Sequence, residues 1–334
     1  MKPLALACLL FCLASVPGGI PLEVAEGSPR TRNGRIAFSA INLAVDSPCG
    51  PYLDTDLFTV LPNGAGLTRI TEGSDYDGGP AWAPDGQTLA FWRGAPLSTV
   101  FTPVGTTAST HLTPTDIWVL DPVTGARNLT NTPESFEFSP DWSPDADQIA
   151  FDSDRGAGMD LSLSRGHGLS FDIYVMKSDG TEQRSLVEAP GDQVDAAWSP
   201  DGKWIAYGDH SPGRIGLVDR RGRPVRTIDV PENRPRDPDW SPDGSQIAFG
   251  MSGDIWITNL HGDMRNLTSA FVGNSIDSGP SWSRDGKRIA FLSNREGGDY
   301  RLYTMDSDGR NARPLIDLEL TCGSSLSPPS WGSQ

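Results

Sequence analysis

The chain has 334 residues, of which 37% are hydrophobic, and it contains 37 glycines, 28 prolines and four cysteines. The formal net charge of −16 argues against a nucleic-acid partner, whose phosphates require a basic surface, and against binding to anionic membranes. Many glycines and prolines favour short strands joined by turns over long helices, so the composition indicates an all-β fold.

The first part of the chain has the pattern of a secretory signal peptide. Lys2 precedes an apolar run from Leu4 to Val16, which is too short to span a bilayer. Small residues between Gly18 and Gly27 provide several cleavage points, so we assign residues 1–27 to the signal peptide. No later stretch is apolar enough to predict a membrane anchor. We therefore expect an exported, soluble protein, either periplasmic or secreted, and a monomer.

One short unit recurs along the rest of the chain, and it is clearest between Pro238 and Phe249. There, Pro242-Asp243-Gly244 separates a strand that ends at Trp240 from a second strand. Proline fixes φ at the first corner of such a turn, aspartate accepts nearby backbone hydrogen bonds, and glycine accepts positive φ. The unit is therefore a β-hairpin. Complete copies carry Trp82, Trp142, Trp198, Trp240 and Trp282.

Two half-copies stand at the ends of this series. Asn33 to Phe38 supplies a turn glycine and a second strand without a preceding tryptophan, and Pro328 to Gly332 supplies a strand with Trp331. Each half-copy contains what the other lacks. Together they predict a sixth unit, built from both ends of the chain, which closes the array without an exposed edge.

Every unit continues with a third strand, a glycine turn and a fourth strand that contains an arginine. The third strands begin at Leu57, Ile117, Ile173, Ile215, Ile255 and Leu302, and the arginines are Arg69, Arg127, Arg184, Arg226, Arg265 and Arg313. Four strands per unit are typical of a propeller blade, so residues 33–334 are predicted to form a six-bladed β-propeller of four-stranded antiparallel blades.

The first three blades are longer than the others, because each has an insertion between its second and third strands. The insertions occupy residues 40–56, 93–116 and 153–172. In an up-and-down blade these loops lie on the same face as the connections between blades. We expect them to build a recognition surface on one face of blades 1 to 3.

The repeat P-x-W-S-P-D-G-x-x-I-A-F, followed by I-Y-V-M, D-G and R-x-L-T, resembles the propeller of the TolB family, with its WD40-like PD40 repeats. The resemblance covers residues 33–334 and involves the propeller alone. The TolB family is the periplasmic component of the Tol-Pal system. The resemblance therefore implies a protein-interaction scaffold in the cell envelope, with an envelope protein or peptide as partner.

The recurring tryptophans have two possible roles, packing between blades or stacking against carbohydrate. Because one occurs in every blade, we interpret them as inter-blade packing residues. They are Trp82, Trp142, Trp198, Trp240, Trp282 and Trp331.

Two cysteines follow the signal peptide, and a pair in an exported protein suggests a disulfide. Cys49 lies in the insertion of the shared blade, and Cys322 lies in the connection to Trp331. Both loops are expected on one face of that blade, so we predict that Cys49 and Cys322 form a bridge that locks the closure. Two free or metal-binding thiols are the alternative.

Five acids precede the tryptophan strands: Asp77, Glu137, Asp195, Asp237 and Asp277. If the first strand of each blade is innermost, these carboxylates gather around one mouth of the central channel. There they could bind Ca²⁺ or receive a lysine or arginine, part of a basic patch, from a partner. Alternatively, each acid accepts hydrogen bonds at the start of its own strand.

The sequence contains no clear catalytic constellation. The histidines, His111, His167, His210 and His261, form no metal-binding spacing, although His111 and His167 lie in long insertions and leave a composite site open. The propeller also resembles those of prolyl-oligopeptidase-like peptidases, yet no G-x-S-x-G motif is present. We expect a non-enzymatic protein without a cofactor other than a possible Ca²⁺. The alternative is a metal-assisted hydrolase or lyase that acts on a sugar or lactone in the channel.

Overall fold

A computed structural model describes residues 33–41, 55–73, 75–95, 113–155, 170–231, 234–269, 275–316 and 327–333. These residues form β-strands and turns, without an α-helix. No helix capable of crossing a membrane occurs within the described ranges. The proposed signal peptide, Cys49, Cys322, His111 and His167 lie outside them, as do most residues of the three insertions.

The strands follow the predicted repeat of four. Blade 1 contains β1 (Asn33–Ile41), β2 (Thr55–Val60), β3 (Thr68–Arg69) and β24 (Ser330–Ser333). Blade 2 contains β4 (Tyr76–Trp82), β5 (Leu89–Gly94), β6 (Thr115–Asp121) and β7 (Gly125–Asn128). Blade 3 contains β8 (Glu137–Trp142), β9 (Gln148–Ser153), β10 (Asp172–Lys177) and β11 (Arg184–Val187).

Blades 4 to 6 repeat the same order of four strands. Blade 4 contains β12 (Gln193–Trp198), β13 (Trp204–Asp209), β14 (Arg214–Asp219) and β15 (Pro224–Asp229). Blade 5 contains β16 (Arg236–Trp240), β17 (Gln246–Met251), β18 (Asp254–Asn259) and β19 (Met264–Asn266). Blade 6 contains β20 (Asp277–Trp282), β21 (Arg288–Ser293), β22 (Arg301–Asp306) and β23 (Arg313–Pro314).

Hydrogen bonding groups these strands into antiparallel blades. Blades 3 to 6 are separate four-stranded sheets, whereas blades 1 and 2 are joined into one eight-stranded sheet. The junction is a single parallel pair, Thr55 with Tyr76. Divided at this pair, the described strands form six groups of four. The predicted all-β propeller with four-stranded antiparallel blades is confirmed.

The two ends of the propeller meet in blade 1. β24 pairs antiparallel with β1, with Trp331 opposite Ile36 and Ser330 opposite Ala37. This pairing confirms the predicted closure by terminal strands. It also removes the free edge that β1 would otherwise present at the centre of the ring.

The hydrophobic core lies between neighbouring blades rather than within one blade. Trp142 of blade 3 is clustered with Ile117 and Val119 of blade 2. Trp331 of blade 1 is clustered in the same way with Leu292 and Leu302 of blade 6. Trp198, Trp240 and Trp282 repeat the arrangement at the next three junctions. At the junction of blades 1 and 2, a Cβ added to Gly332 would come within 2.9 Å of Trp82 Cδ1.

The insertions between second and third strands have flanks at the same end of the blades as the blade-to-blade connections. Thr55 Oγ1 donates to the Asp77 carbonyl at 3.0 Å, and Thr115 Oγ1 donates to the Glu137 carbonyl at 2.8 Å. In both cases the start of a third strand lies beside the start of the next blade's first strand.

Candidate binding channel

The first strand of each blade in blades 2 to 6 contains a β-bulge. The pairing of first and second strands shifts register in every case. The residue three positions before the tryptophan has positive φ, between 49° and 60°. This left-handed conformation suits glycine and is tolerated by aspartate better than by most residues. The five residues are Gly79, Ser139, Asp195, Asp237 and Gly279.

The first strands surround a central channel of about 880 Å³ whose wall is electrostatically divided. One half, from blades 3 to 5, carries six carboxylates: Asp141, Asp152, Asp192, Asp195, Asp237 and Asp239. The opposite half, from blades 6, 1 and 2, carries mainly small and proline side chains: Pro80, Pro280, Ser281, Ser327, Pro328 and Ser330. Arg234 and Arg236 are the described cations of the wall, so carboxylates outnumber them.

Aromatic side chains lie next to the carboxylates in this channel. Trp92, Phe138 and Phe171 line the same channel as Asp152. Phe138 contacts the other two rings, with centroid distances of 5.4 Å to Trp92 and 5.8 Å to Phe171. The channel therefore offers both an apolar surface and hydrogen-bond acceptors to a ligand.

The five acids predicted to surround the channel mouth occupy two different positions. Asp195 and Asp237 stand three residues before their tryptophans and line the channel. The other three, Asp77, Glu137 and Asp277, stand five residues before their tryptophans and are buried inside the blades. The bulge separates the two positions, so the structure does not bring all five acids together.

Each of the three buried acids forms an ion pair with an arginine that lies within two residues of the end of the second strand. The pairs are Asp77 with Arg93, Glu137 with Arg155 and Asp277 with Arg295, at 2.6, 2.9 and 2.8 Å. Every guanidinium also lies 5.0–5.3 Å from the centroids of two aromatic rings. These pairs join the first strand to the second and are structural elements of the blades. Burial raises the pKa of Glu137 to about 7, against the opposing effect of Arg155.

The channel carboxylates are linked from blade to blade through backbone amides. The Asp195 N–H donates to the Asp152 carboxylate at 2.8 and 3.0 Å, and the Asp237 N–H donates to Asp195 Oδ2 at 3.1 Å. The Ser139 hydroxyl donates to Asp195 Oδ1 at 3.0 Å. Burial raises the pKa of both Asp152 and Asp237, and the neighbouring Asp195 carboxylate raises each further.

A second set of links uses the residue immediately before four of the six repeat tryptophans. Its side-chain oxygen accepts the backbone N–H of the next blade's tryptophan. The links join Asp141 to Trp198, Asp239 to Trp282, Ser281 to Trp331 and Ser330 to Trp82, at 2.7, 2.5, 3.1 and 3.2 Å. Burial raises the pKa of Asp141 to about 6 and that of Asp239 to about 7. Neither acid is among the residues predicted from the sequence, although each stands in a Pro-Asp-Trp triplet.

No group of three or more histidine, cysteine or acidic side chains is arranged to hold a metal ion within the described residues. Of the two described histidines, His210 is buried, with Nε2 3.2 Å from the Pro235 carbonyl oxygen, and His261 lies in an exposed turn. Burial lowers the pKa of His210. Calcium binding stays a prediction, and Asp195 and Asp237 are the two acids of the predicted set that face the channel.

Comparison with known proteins agrees with this architecture. The family model PD40, described as the TolB beta propeller domain, matches residues 165–332. The chain belongs to the TolB β-propeller domain family. The matched residues contain β10 and β11 of blade 3, all of blades 4 to 6, and most of β24.

Two curated relatives match parts of this TolB-type propeller. Over 139 residues it is 29% identical to the uncharacterized peptidase YuxL of Bacillus subtilis, covering 42% of this chain and 17% of that protein. Over 64 residues it is 31% identical to the Tol-Pal system protein TolB of Nitratidesulfovibrio vulgaris, covering 19% of this chain and 14% of that protein. The matches thus span less than a fifth of either relative's length.

Solved structures share the fold over most of the chain. TolB from Acinetobacter baumannii superposes with a TM-score of 0.67 at 21% identity, covering 90% of this chain and 66% of that one. A TolB-like protein from Agrobacterium tumefaciens, described as putative TolB, superposes with a TM-score of 0.61 at 19% identity, covering 91% and 98%. At these identities the similarity supports the fold alone.

Proposed function

We propose that this protein is an exported, non-catalytic interaction propeller of the cell envelope that binds a basic segment of a partner protein in its central channel. Membership of the TolB propeller family supports a protein-binding role, because one relative is itself a Tol-Pal system protein. The signal-peptide pattern of residues 1–27 supports export.

The observation that carries the proposal is the unequal charge of the channel wall. Six aspartates line it against two arginines, and all six come from blades 3 to 5. A lysine or arginine side chain could place its charged end among these carboxylates and its aliphatic stem against Trp92 and Phe138. A volume of about 880 Å³ accommodates a short peptide segment rather than a folded domain.

Binding of a cation in this channel should be coupled to proton release. The pKa is about 6 for Asp141 and about 7 for Asp239, because burial disfavours their charged forms. A nearby ammonium or guanidinium group favours the ionised carboxylate and lowers its pKa. The affinity for a basic peptide should therefore increase as the pH rises from about 6 to about 8.

The proposal is tested by isothermal titration of the protein with an oligolysine peptide, with oligoglutamate as the charge control. The test variant carries Asp195→Asn and Asp237→Asn, since asparagine also tolerates positive φ and still accepts backbone hydrogen bonds. The matched control carries Asp179→Asn and Asp308→Asn, which replace the same number of carboxyl groups in exposed turns.

We expect wild-type protein and the turn control to bind oligolysine with similar affinity at pH 8. The channel variant should bind about tenfold more weakly. Equal weakening in both variants would indicate general charge attraction, and absence of binding to the wild-type protein would refute a basic ligand. A pull-down from an envelope extract with wild-type and channel-variant protein then identifies the partner.

The enzymatic alternative is separated by a different measurement. Metal analysis of the purified protein, before and after chelation, is expected to show no stoichiometric metal. A tightly bound metal whose removal abolishes hydrolysis of a lactone or sugar substrate would replace the scaffold proposal by a metal-assisted hydrolase.

A further inference from the structure

The outer strand of blade 4 differs in length from its counterparts. β15 has six residues, whereas β3, β7, β11, β19 and β23 have two to four. Five of the six β15 residues are exposed, and Ile228 alone is buried. Short edge strands are one means by which proteins avoid pairing with other chains. Blade 4 lacks this protection.

The backbone of β15 is suited to pairing on its open side. β15 pairs antiparallel with β14 in continuous register from Arg226 to Asp229, and a register shift separates these residues from Pro224, which pairs with Val218. The described residues place no strand on the other side of β15. Because backbone groups alternate in direction along an antiparallel strand, about half of its N–H and C=O groups point to solvent. Pro224, which has no N–H, stands at the first position, so the rest of the strand retains its donors.

A charged side chain on an edge normally discourages pairing, but the arginine of β15 is turned away from the edge. The Arg226 guanidinium donates to the Leu260 carbonyl of blade 5. Arg184 makes the equivalent contact one blade earlier, where it donates to the Arg220 carbonyl at 3.2 Å. Arg226 therefore links two blades, and Val225 and Thr227 stand exposed on either side of it.

Positive charge is concentrated at the turn that leads into β15. Within seven residues this turn and strand contain Arg220, Arg221, Arg223 and Arg226, in a chain whose net charge is −16. Asp145 pairs with Arg220 at 2.8 Å, and Asp219 pairs with Arg223 at 2.7 Å. Arg221 is exposed and has no ion pair among the described residues. An incoming strand here would meet cations on an otherwise acidic protein.

We propose that β15 is a docking edge for an extended acidic segment of a partner protein, which adds a fifth strand to blade 4. Main-chain hydrogen bonds to β15 would supply the geometry, and carboxylates of the segment would lie near Arg221 and Arg223. The edge lies on the outer rim of the ring, so this interaction is independent of the channel.

The test uses a fluorescent, terminally blocked peptide of alternating valine and glutamate, with fluorescence polarisation as the measure of binding. A second peptide of identical sequence is N-methylated at alternate residues, which prevents strand pairing but preserves every charge. The protein variant carries Arg221→Glu and Arg223→Glu, both at exposed positions. Its melting temperature is measured alongside that of the wild-type protein.

We expect the unmodified peptide to bind, with an affinity that falls as salt increases. N-methylation and the double arginine variant should each weaken binding about tenfold or more. Amide hydrogen exchange should slow at residues 224–229 when the peptide is present, and should not change in β7, the outer strand of blade 2.

Equal binding of the N-methylated peptide would overturn the proposal, because it would leave only a basic patch. Protection confined to other strands would overturn it as well. Binding to phosphatidylglycerol vesicles without binding to the peptide would replace the protein segment by a lipid surface. Dimerisation through β15, shown by sedimentation, would replace it by a second copy of this chain.

Discussion

Replacing Asp239 by asparagine should stabilise the propeller at alkaline pH. The Asp239 carboxylate accepts the Trp282 N–H at 2.5 Å, and burial raises its pKa from 3.8 to about 7. A shift of roughly three pKa units corresponds to about 4 kcal/mol between the two protonation states. Since the folded-state pKa is raised, the protonated Asp239 carboxyl contributes to the free energy of unfolding. This contribution is complete below about pH 4 and is lost as the pH rises through 7.

Asparagine keeps a side-chain oxygen for the Trp282 N–H and cannot ionise. At pH 8 we expect Asp239→Asn to be more stable than wild type by about 2 kcal/mol, because part of the 4 kcal/mol is offset by a weaker hydrogen bond to a neutral acceptor. At pH 5 the two proteins should differ by less than about 1 kcal/mol. Asp239→Ala leaves the Trp282 N–H without this acceptor and should be about 1–3 kcal/mol less stable than Asp239→Asn at both pH values.

The measurement is urea unfolding at pH 5 and pH 8, followed by the fluorescence of the ten tryptophans. Asp243→Asn is the matched control. The turn hydrogen bonds of Asp243, the first from Ser241, lower its pKa, so its contribution to stability does not change between pH 5 and pH 8. If Asp239→Asn and Asp239→Ala were equally destabilised at pH 8, the carboxylate charge itself would be required, and the reasoning from burial would be refuted.

Three further predictions concern the blades and their closure. Asp277→Asn removes the carboxylate charge that is paired with the buried Arg295 and should lower the free energy of unfolding in urea by about 3–5 kcal/mol. A loss below about 1 kcal/mol would contradict the importance of this pair. Trp331→Ala should lower the free energy of unfolding by about 3–5 kcal/mol, because it removes a large buried side chain from the core between blades 6 and 1. A near-neutral effect would show that this junction does not limit stability. Peptide mapping by mass spectrometry without reduction should recover Cys49 linked to Cys322, and two free thiols would contradict the predicted bridge.

The fold could be predicted because its information is local and repeated. Each hairpin carries its own turn residues, and the exchange of half-copies between residues 33–38 and 328–332 follows from counting them. That count alone predicts that residues 33–38 lie beside Trp331, and the structure pairs Ile36 with Trp331. Blade boundaries, strand order and closure were therefore accessible without knowledge of side-chain packing.

The channel was only partly predictable because a bulge changes which side chains point inward. Asp77 and Asp195 appear equivalent when both are described as acids before a tryptophan, yet they stand five and three residues from it. The two positions are two residues apart in the repeat, so in a regular strand both side chains would point to the same face. The bulge between the two positions breaks that alternation. The number of residues between each acid and its tryptophan, together with Arg93 in blade 2, was the signal in the sequence that distinguishes the two positions.

The inter-blade role of Asp141 and Asp239 could not be predicted from hairpins taken one at a time. Their hydrogen-bond partners are tryptophan amides of the next blade, at sequence separations of 57 and 43 residues. Serine performs the same function at Ser281 and Ser330, so residue type alone does not mark the position. The acceptor and the donor become adjacent only when neighbouring blades pack against each other.

The pairing of β1 with β24 has a consequence for how the protein is made. A growing chain can form blades 2 to 6 in order as each is synthesised, because all four strands of each are consecutive. Until Ser330–Ser333 leaves the ribosome, blade 1 has only three strands and the inner edge of β1 is uncovered. β24 therefore closes the ring, and a variant without this strand would present the uncovered backbone edge of β1 and be prone to aggregation.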